Sequence, residues 1–153
     1  MPELHAEQIR DVFCGVIENL AFMFGDPAQK DDLPQFADDC AVALIGFNGP
    51  SSGELRLVAP ADIAVELAMN VLGLDSVDDA SDETAIDALG ELMNVTMGQL
   101  ITAIAGTEPV FNLTPPQVEL RGGADKWTAM LNDDQSVAFM IEDYPVLLKL
   151  TIQ

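Results

Sequence analysis

The segment 87–100, DALGELMNVTMGQL, contains the side chains with the clearest chemical pattern in this sequence. Steps of four, three and four residues separate four of its members: Asp87, Glu91, Asn94 and Gly98. In a helix, such steps place residues in one row on the surface. The row offers two carboxylates, one carboxamide and then a position without a side chain. It can bind a second molecule through charge and hydrogen bonds, and the bare backbone at Gly98 allows close approach.

The same segment contains residues that weaken a helix. Gly90, Asn94 and Gly98 are poor helix formers, and an internal glycine costs roughly 1 kcal/mol relative to alanine. Two explanations remain open: the glycines could permit docking of a partner, or Gly90 could allow close packing against a sheet. A polar face opposite an apolar stripe is also typical of any solvated surface helix. The spacing alone therefore does not establish a site.

The opposite face of this helix, predicted over residues 84–105, is apolar. Six residues share one arc and are expected to face the core: Ile86, Leu89, Met93, Met97, Leu100 and Ile104. Ser81 or Asp79 is the expected N-cap. Asp82 and Glu83 then stand at the positive end of the helix, where carboxylates are stabilising. The acidic stretch before the helix lacks the pattern of a calcium-binding loop, so we expect no metal site.

The remaining sequence predicts the elements that position this helix. A first helix is predicted over residues 6–24, with Phe24 in its apolar stripe, and Gly25-Asp26-Pro27 is expected to stop it. A polar loop over residues 29–39 follows. CAVALIGFNG and GELRLVA predict a hairpin, and the next apolar pattern predicts a short helix that ends at Gly73.

After Gly106, five β-rich segments alternate with turns: VFNLT, QVELR, WTAML, VAFMI and VLLKLTI. Trp127 falls in the third of them and is expected to pack in a strand. Strands joined by short turns pair antiparallel. The sequence therefore predicts an α+β fold, an antiparallel β-sheet with long helices packed on it. At 153 residues we expect a single domain over residues 1–153.

Composition excludes several classes of function. Six basic and 26 acidic residues give a net charge of -20, which argues against nucleic acid and against an anionic membrane as partners. Cys14 and Cys40 lack CxxC spacing, and His5, the single histidine, lies near the start of the chain. We therefore expect buried structural thiols rather than a catalytic cysteine. Neither a signal peptide nor a long apolar run is present, which favours a cytoplasmic protein.

The segment DALGELMNVTMGQL resembles the signature helix of the CheC/CheX phosphatases of bacterial chemotaxis. Their pattern is Asp or Ser, three residues, Glu, two residues, Asn, and a proline some two dozen positions later. Asp87, Glu91 and Asn94 match it, and Pro115 or Pro116 stands at about the right distance. The likeness continues through the hairpin and the following helix, so that it covers most of the chain from about Cys40 to Pro116.

The number of motifs separates the two types in this family. CheC-type members carry two motifs, whereas CheX-type members carry one. In the first helix Glu7 is followed at the third place by Arg10, and Glu18 by Ala21, so no second asparagine fits. The chain is therefore more similar to CheX, and that resemblance implies a homodimer. The apolar segment VLLKLTI could form the edge at which subunits pair.

The resemblance implies a phosphatase that removes the phosphoryl group from the aspartate of a CheY-type response regulator. Asn94 would hold the attacking water, and Glu91 would pair with a lysine of the regulator. Asp87 would add a supporting charge, and Gly98 would belong to the docking surface. No cofactor of its own is implied, because the Mg²⁺ belongs to the phosphorylated partner. The alternative is a non-catalytic binding module, since the fold also resembles the middle domain of the flagellar switch proteins.

Overall fold

A seven-stranded sheet lies at the centre of the computed structural model, which describes residues 5–34, 39–74 and 81–153. The strands are β1 (Gly25–Pro27), β2 (Cys40–Asn48), β3 (Gly53–Pro60), β4 (Asn112–Leu113), β5 (Gln117–Gly122), β6 (Val137–Ile141) and β7 (Tyr144–Ile152). The helices are α1 (Ala6–Ala21), α2 (Asp62–Leu72), α3 (Asp82–Ala105) and α4 (Ala124–Leu131). The described strands all pair antiparallel, and the predicted α+β class is confirmed.

The strand order is β1-β6-β7-β3-β2, and β4 and β5 pair with successive parts of the same edge of β2. The predicted hairpin is β2 and β3, and the predicted short helix is α2, which ends at Leu72 with Gly73 as its C-cap in the left-handed conformation. Alternation along the strands gives the sheet two apolar faces. In β3, Leu55 and Leu57 join the larger core with α1, α2 and α3, whereas Val58 joins a smaller core with Met130 of α4.

The start of α3 is fixed by a hydrogen-bonded cap. The Ser81 side chain accepts a hydrogen bond of 3.2 Å from the backbone N–H of Thr84, so Ser81 is the N-cap. Asp82 and Glu83 occupy the first turn, as predicted. The other cap candidate, Asp79, lies outside the described residues. A Ser N-cap stabilises a helix by about 1 kcal/mol relative to alanine.

Five of the six residues predicted for the buried arc of α3 are buried, and Ile86 is the exception. Its side chain is 37% exposed. Ala85, Ala88 and Leu89 occupy the first buried turn instead. At about 100° per residue, Ile86 shares its side of the helix with the buried Met93, two turns later, so its exposure means that the core beside this first turn covers Ala85 but does not extend over Ile86. The prediction that Ile86 faces the core is therefore wrong.

The first helix ends earlier than its sequence pattern predicts. α1 ends at Ala21, because Phe22 adopts the left-handed conformation with φ 55°. Phe24 is 58% exposed and is not part of the buried stripe. The residues predicted only to stop the helix, Gly25–Pro27, form β1 and pair with β6. Three residues thus separate the end of α1 from the strand that pairs with β6. The described part of the loop that follows contains a 3-10 turn at Lys30–Asp32.

The segment WTAML is helical, so the predicted strand is wrong. It forms the second half of α4, which starts after Gly123. Trp127, Met130 and Leu131 pack against the smaller core, a spacing of three and four residues that matches one helix face. Burial against the sheet thus overrides the strand preference of tryptophan and threonine. In VFNLT, only Asn112–Leu113 pairs as a strand.

Candidate functional site

A shallow groove separates α3 from the start of β5 and the residue before it, and we call it the α3–β5 groove. Its volume is about 230 Å³. α3 contributes Ile86, Asp87, Gly90, Glu91 and Asn94 to its lining, and Pro116 and Val118 form the other wall. The structure therefore brings together the three motif side chains that the sequence predicts as a site, but Gly98 lies outside the groove lining.

The polar side chains of the groove are free to bind a ligand. Asp87 and Glu91 are exposed, and Asn94 is partly buried. Within residues 5–34, 39–74 and 81–153, none of the three side chains has a hydrogen bond or an ion pair. A carboxamide carries both donors and an acceptor. The Asn94 amide can therefore donate to one group and accept from another at the same time.

Gly90 has a packing role. It is buried in α3, and a Cβ atom at this position would lie 3.2 Å from Cγ of Pro116. The missing side chain lets the helix backbone approach the proline closely. Of the two explanations left open for Gly90, the contact supports close packing. It also shows that Pro116, rather than the exposed Pro115, lines the groove.

Gly98 differs from Gly90 because no described residue, apart from the neighbouring backbone of α3, lies within 4 Å of the position that a Cβ would occupy. Its backbone carbonyl accepts a hydrogen bond of 3.0 Å from the Thr102 hydroxyl. No described neighbour therefore requires a glycine here. Its role in docking stays a prediction.

The groove carries negative charge without a basic neighbour in its lining. The described lining residues include two carboxylates, Asp87 and Glu91, and no lysine or arginine. Arg121, at the far end of β5, is engaged with Asp82 at 2.9 Å and with Asp39 at 3.8 Å. This arginine ties the start of α3 to β5, and the carboxylates of the groove remain available to a cation from outside.

Two lining residues are missed by sequence reasoning, Ile86 and Val118. Ile86 is assigned to the core by its position on the apolar arc. Val118 carries no chemical signal beyond its place in a strand. Only the position of β5 beside α3 brings the two side chains to the same groove.

The two cysteines are free thiols in packed surroundings. Cys40 is fully buried, and Cys14 is partly buried against the larger core. Burial is the main cause that raises the pKa of both thiols. A raised pKa lowers the thiolate fraction at neutral pH, which fits structural cysteines rather than nucleophiles.

Comparisons with known proteins give a consistent picture of the fold. The family model "Chemotaxis phosphatase CheX" matches residues 41–138. Chemotaxis protein CheX from Desulfovibrio desulfuricans is similar with a TM-score of 0.70 and 18% identity, over 97% of this chain and 98% of that chain. A chain of the CheX–CheY–BeF3–Mg²⁺ complex from Borrelia burgdorferi has a TM-score of 0.66 and 18% identity, over 96% of each chain. The FliM middle domain from Vibrio alginolyticus has a TM-score of 0.50 and 13% identity, over 95% and 91%.

None of the curated proteins compared with this sequence matches it. Among the helices of the described ranges, none combines the length and apolar character that crossing a bilayer requires.

Proposed function

This chain belongs to the CheX family of chemotaxis phosphatases, and on that premise we propose that it hydrolyses the aspartyl phosphate of a CheY-type receiver domain. The observation that carries the proposal is the position of Asn94. Its amide is partly buried in the α3–β5 groove, engages no described residue, and lies one turn from the exposed carboxylate of Glu91. The Borrelia burgdorferi CheX, which shares the fold, forms a complex with CheY.

Asn94 would act by positioning the attacking water. Hydrolysis forms a bond between the water oxygen and phosphorus and breaks the bond between phosphorus and the aspartyl oxygen. The aspartate carboxylate is restored, and the water protons pass to phosphate and solvent. Such a reaction depends mainly on alignment of the water with the breaking bond. An amide that accepts from the water and donates to a phosphoryl oxygen supplies that alignment without titrating near neutral pH.

Glu91 would anchor the receiver domain. Its exposed carboxylate can form a charge-assisted hydrogen bond with a lysine of the partner. Asp87, one turn earlier, adds negative charge beside this contact. Gly98, one turn beyond Asn94, leaves the backbone bare on the same side of α3, so that the partner surface can approach closely. Together these residues fix where the phosphoryl group meets the Asn94 amide.

We assign no metal ion to this chain. The Mg²⁺ that accompanies an aspartyl phosphate is part of the phosphorylated receiver and therefore enters as a part of the substrate. Among the described lining residues of the groove, the carboxylates are Asp87 and Glu91, and Glu91 pairs with the partner's lysine. The homodimer that the family resemblance implies stays a prediction.

The proposal is tested by the decay of a phosphorylated CheY-type receiver with and without the protein. We expect faster decay that saturates with protein concentration. Glu91→Gln removes the charge of the anchor, so the concentration that gives half of the maximal acceleration should rise about tenfold. The matched control is Glu83→Gln, an exposed glutamate in the first turn of α3, which should behave as wild type.

A different result would favour the binding module. If the receivers of the organism bind the protein but none of them decays faster, the chain binds regulators without hydrolysing their phosphate. If Glu83→Gln has the same effect as Glu91→Gln, general negative charge on α3 rather than a specific anchor governs association.

A further inference from the structure

The exposed side of α3 carries an isoleucine that its own core does not use. Ile86 is 37% exposed, whereas Leu89 and Met93 on the same helix are almost fully buried. Single apolar side chains at a surface are common and need no explanation. The surroundings of Ile86 therefore decide whether its exposure has a function.

The apolar side chains of the α3–β5 groove are Ile86 on the α3 wall and the partly buried Pro116 and Val118 on the other wall, and we call these three the apolar floor of the groove. Gly90 lies between the two walls and has no side chain to fill the space. Its close contact with Pro116 sets the distance between α3 and the segment before β5. The distance between the two walls that carry the floor is therefore fixed by a contact within the fold.

The rim of the groove is acidic. Asp87 and Glu91 are exposed beside the floor, no described lining residue is basic, and Asn94 also lines the groove. An apolar floor next to a carboxylate rim complements a basic side chain with a long aliphatic stem. Lysine has an aliphatic stem that packs on apolar surface while its ammonium group stays at a polar edge.

We propose that the Ile86–Pro116–Val118 floor holds the aliphatic stem of the receiver lysine whose ammonium group pairs with Glu91. This inference rests on the proposed function. It makes Ile86 a specificity-determining residue that contributes to binding of the receiver and not to the hydrolytic step. The groove thus recognises both the length and the charge of a single side chain.

The test is a double-mutant cycle with a receiver that carries BeF3⁻ and Mg²⁺, measured by calorimetry. Ile86→Ala should weaken binding about five- to tenfold, as truncation of a buried interface side chain does, and Ile86→Val should stay within about twofold of wild type. The loss of affinity caused by Ile86→Ala should persist when the receiver lysine is replaced by methionine, which keeps an apolar stem. It should vanish when the lysine is replaced by alanine.

The matched control is Phe24→Ala, which truncates another exposed apolar side chain next to β1, at the opposite edge of the sheet from β5. It should leave binding unchanged. In the decay assay, Ile86→Ala should raise the half-saturating concentration and leave the limiting rate unchanged. Thermal unfolding of each variant verifies that the fold is retained.

Two results would overturn the inference. Binding by Ile86→Ala within twofold of wild type would show that the floor holds no side chain of the partner. A loss that remains with the alanine receiver would show that Ile86 contacts something other than the lysine. Failure of the proposed function would give a different result. The receiver would bind, and the coupling between Ile86 and the receiver lysine would be measured as expected, but the aspartyl phosphate would not decay faster.

Discussion

Thr96 lies on the opposite side of α3 from Asn94, and its buried hydroxyl lowers the stability of the fold. The side chain is fully buried, and its hydroxyl has no hydrogen-bond partner among the described residues. A buried hydroxyl without a partner costs about 1–3 kcal/mol. Valine has nearly the same shape and no hydroxyl, so it fits the site without that penalty.

Thr96→Val should therefore raise the free energy of unfolding by about 1 kcal/mol, measured by urea denaturation. Thr102→Val is the control, because the exposed Thr102 hydroxyl has a partner in the Gly98 carbonyl at 3.0 Å. It should change stability by less than about 0.5 kcal/mol. A loss of stability in Thr96→Val would show that the hydroxyl is satisfied in solution.

The sequence predicts part of the groove at the scale of residues. Steps of four and three residues on one helix are sufficient to bring Asp87, Glu91 and Asn94 to the same side. They do not reveal that Ile86 joins them. A periodic pattern gives the direction of a side chain relative to its helix, whereas the extent of the core beside that helix depends on where the sheet ends.

At the scale of elements, α1 and α3 each contain a glycine with open space around it. Apart from the backbone of its own helix and the adjoining residues, no described atom lies within 4 Å of the position that a Cβ would occupy at Gly15 or at Gly98. Alanine at either position should raise the free energy of unfolding by up to about 1 kcal/mol, the difference in helix propensity. The two positions differ in that only Gly98 lies on the row with Asn94.

Gly98→Ala should therefore raise the half-saturating concentration in the receiver decay assay, because the added methyl group would keep the receiver surface away from the backbone of α3. Gly15→Ala should gain the same stability and leave the assay unchanged. Urea denaturation and the decay assay measure the two effects. If both variants hydrolyse as wild type does, Gly98 is not part of the docking surface.

Elements whose pattern is local are predicted well, and those that depend on distant partners are not. The β2–β3 hairpin and the Ser81 cap follow from neighbouring residues. The WTAML segment is helical because it packs against Cys40, Val58 and Leu147, strand residues that are distant in the sequence. The end of α1 likewise depends on β6, with which Gly25–Pro27 pairs.

At the scale of the whole molecule, the net charge of -20 is the dominant property. Like charges on one compact surface repel each other and destabilise the folded state. Raising NaCl from about 0.1 M to about 1 M shortens the Debye length from about 10 Å to about 3 Å. We expect the midpoint of thermal unfolding to rise by roughly 2–4 °C, equivalent to about 1 kcal/mol for a chain of this size.

The control for this prediction is the same salt series near the isoelectric pH of about 4.1. There the net charge is close to zero, so the effect of salt should largely disappear. A midpoint that falls with salt at neutral pH would show that attractive ion pairs, such as Lys149 with Asp133, outweigh the repulsion.

The class of the fold follows from the sequence, but the order of its strands does not. Composition and alternating periods predict helices on an antiparallel sheet. The placement of β1 beside β6, and of β4 and β5 on the same strand, results from pairings between distant segments. The pairing of β5 with β2 places Pro116 and Val118 beside α3 and so completes the groove.

The most direct test of the account is the limiting rate of receiver dephosphorylation by Asn94→Ala at saturating protein. Gln99→Ala, which removes an exposed carboxamide from the same helix, is the matched control. We predict that Asn94→Ala binds the receiver as wild type does but lowers the accelerated rate about 100-fold, because the water loses its alignment. Gln99→Ala should retain the full rate. Undiminished hydrolysis by Asn94→Ala would contradict the central claim that this amide positions the water.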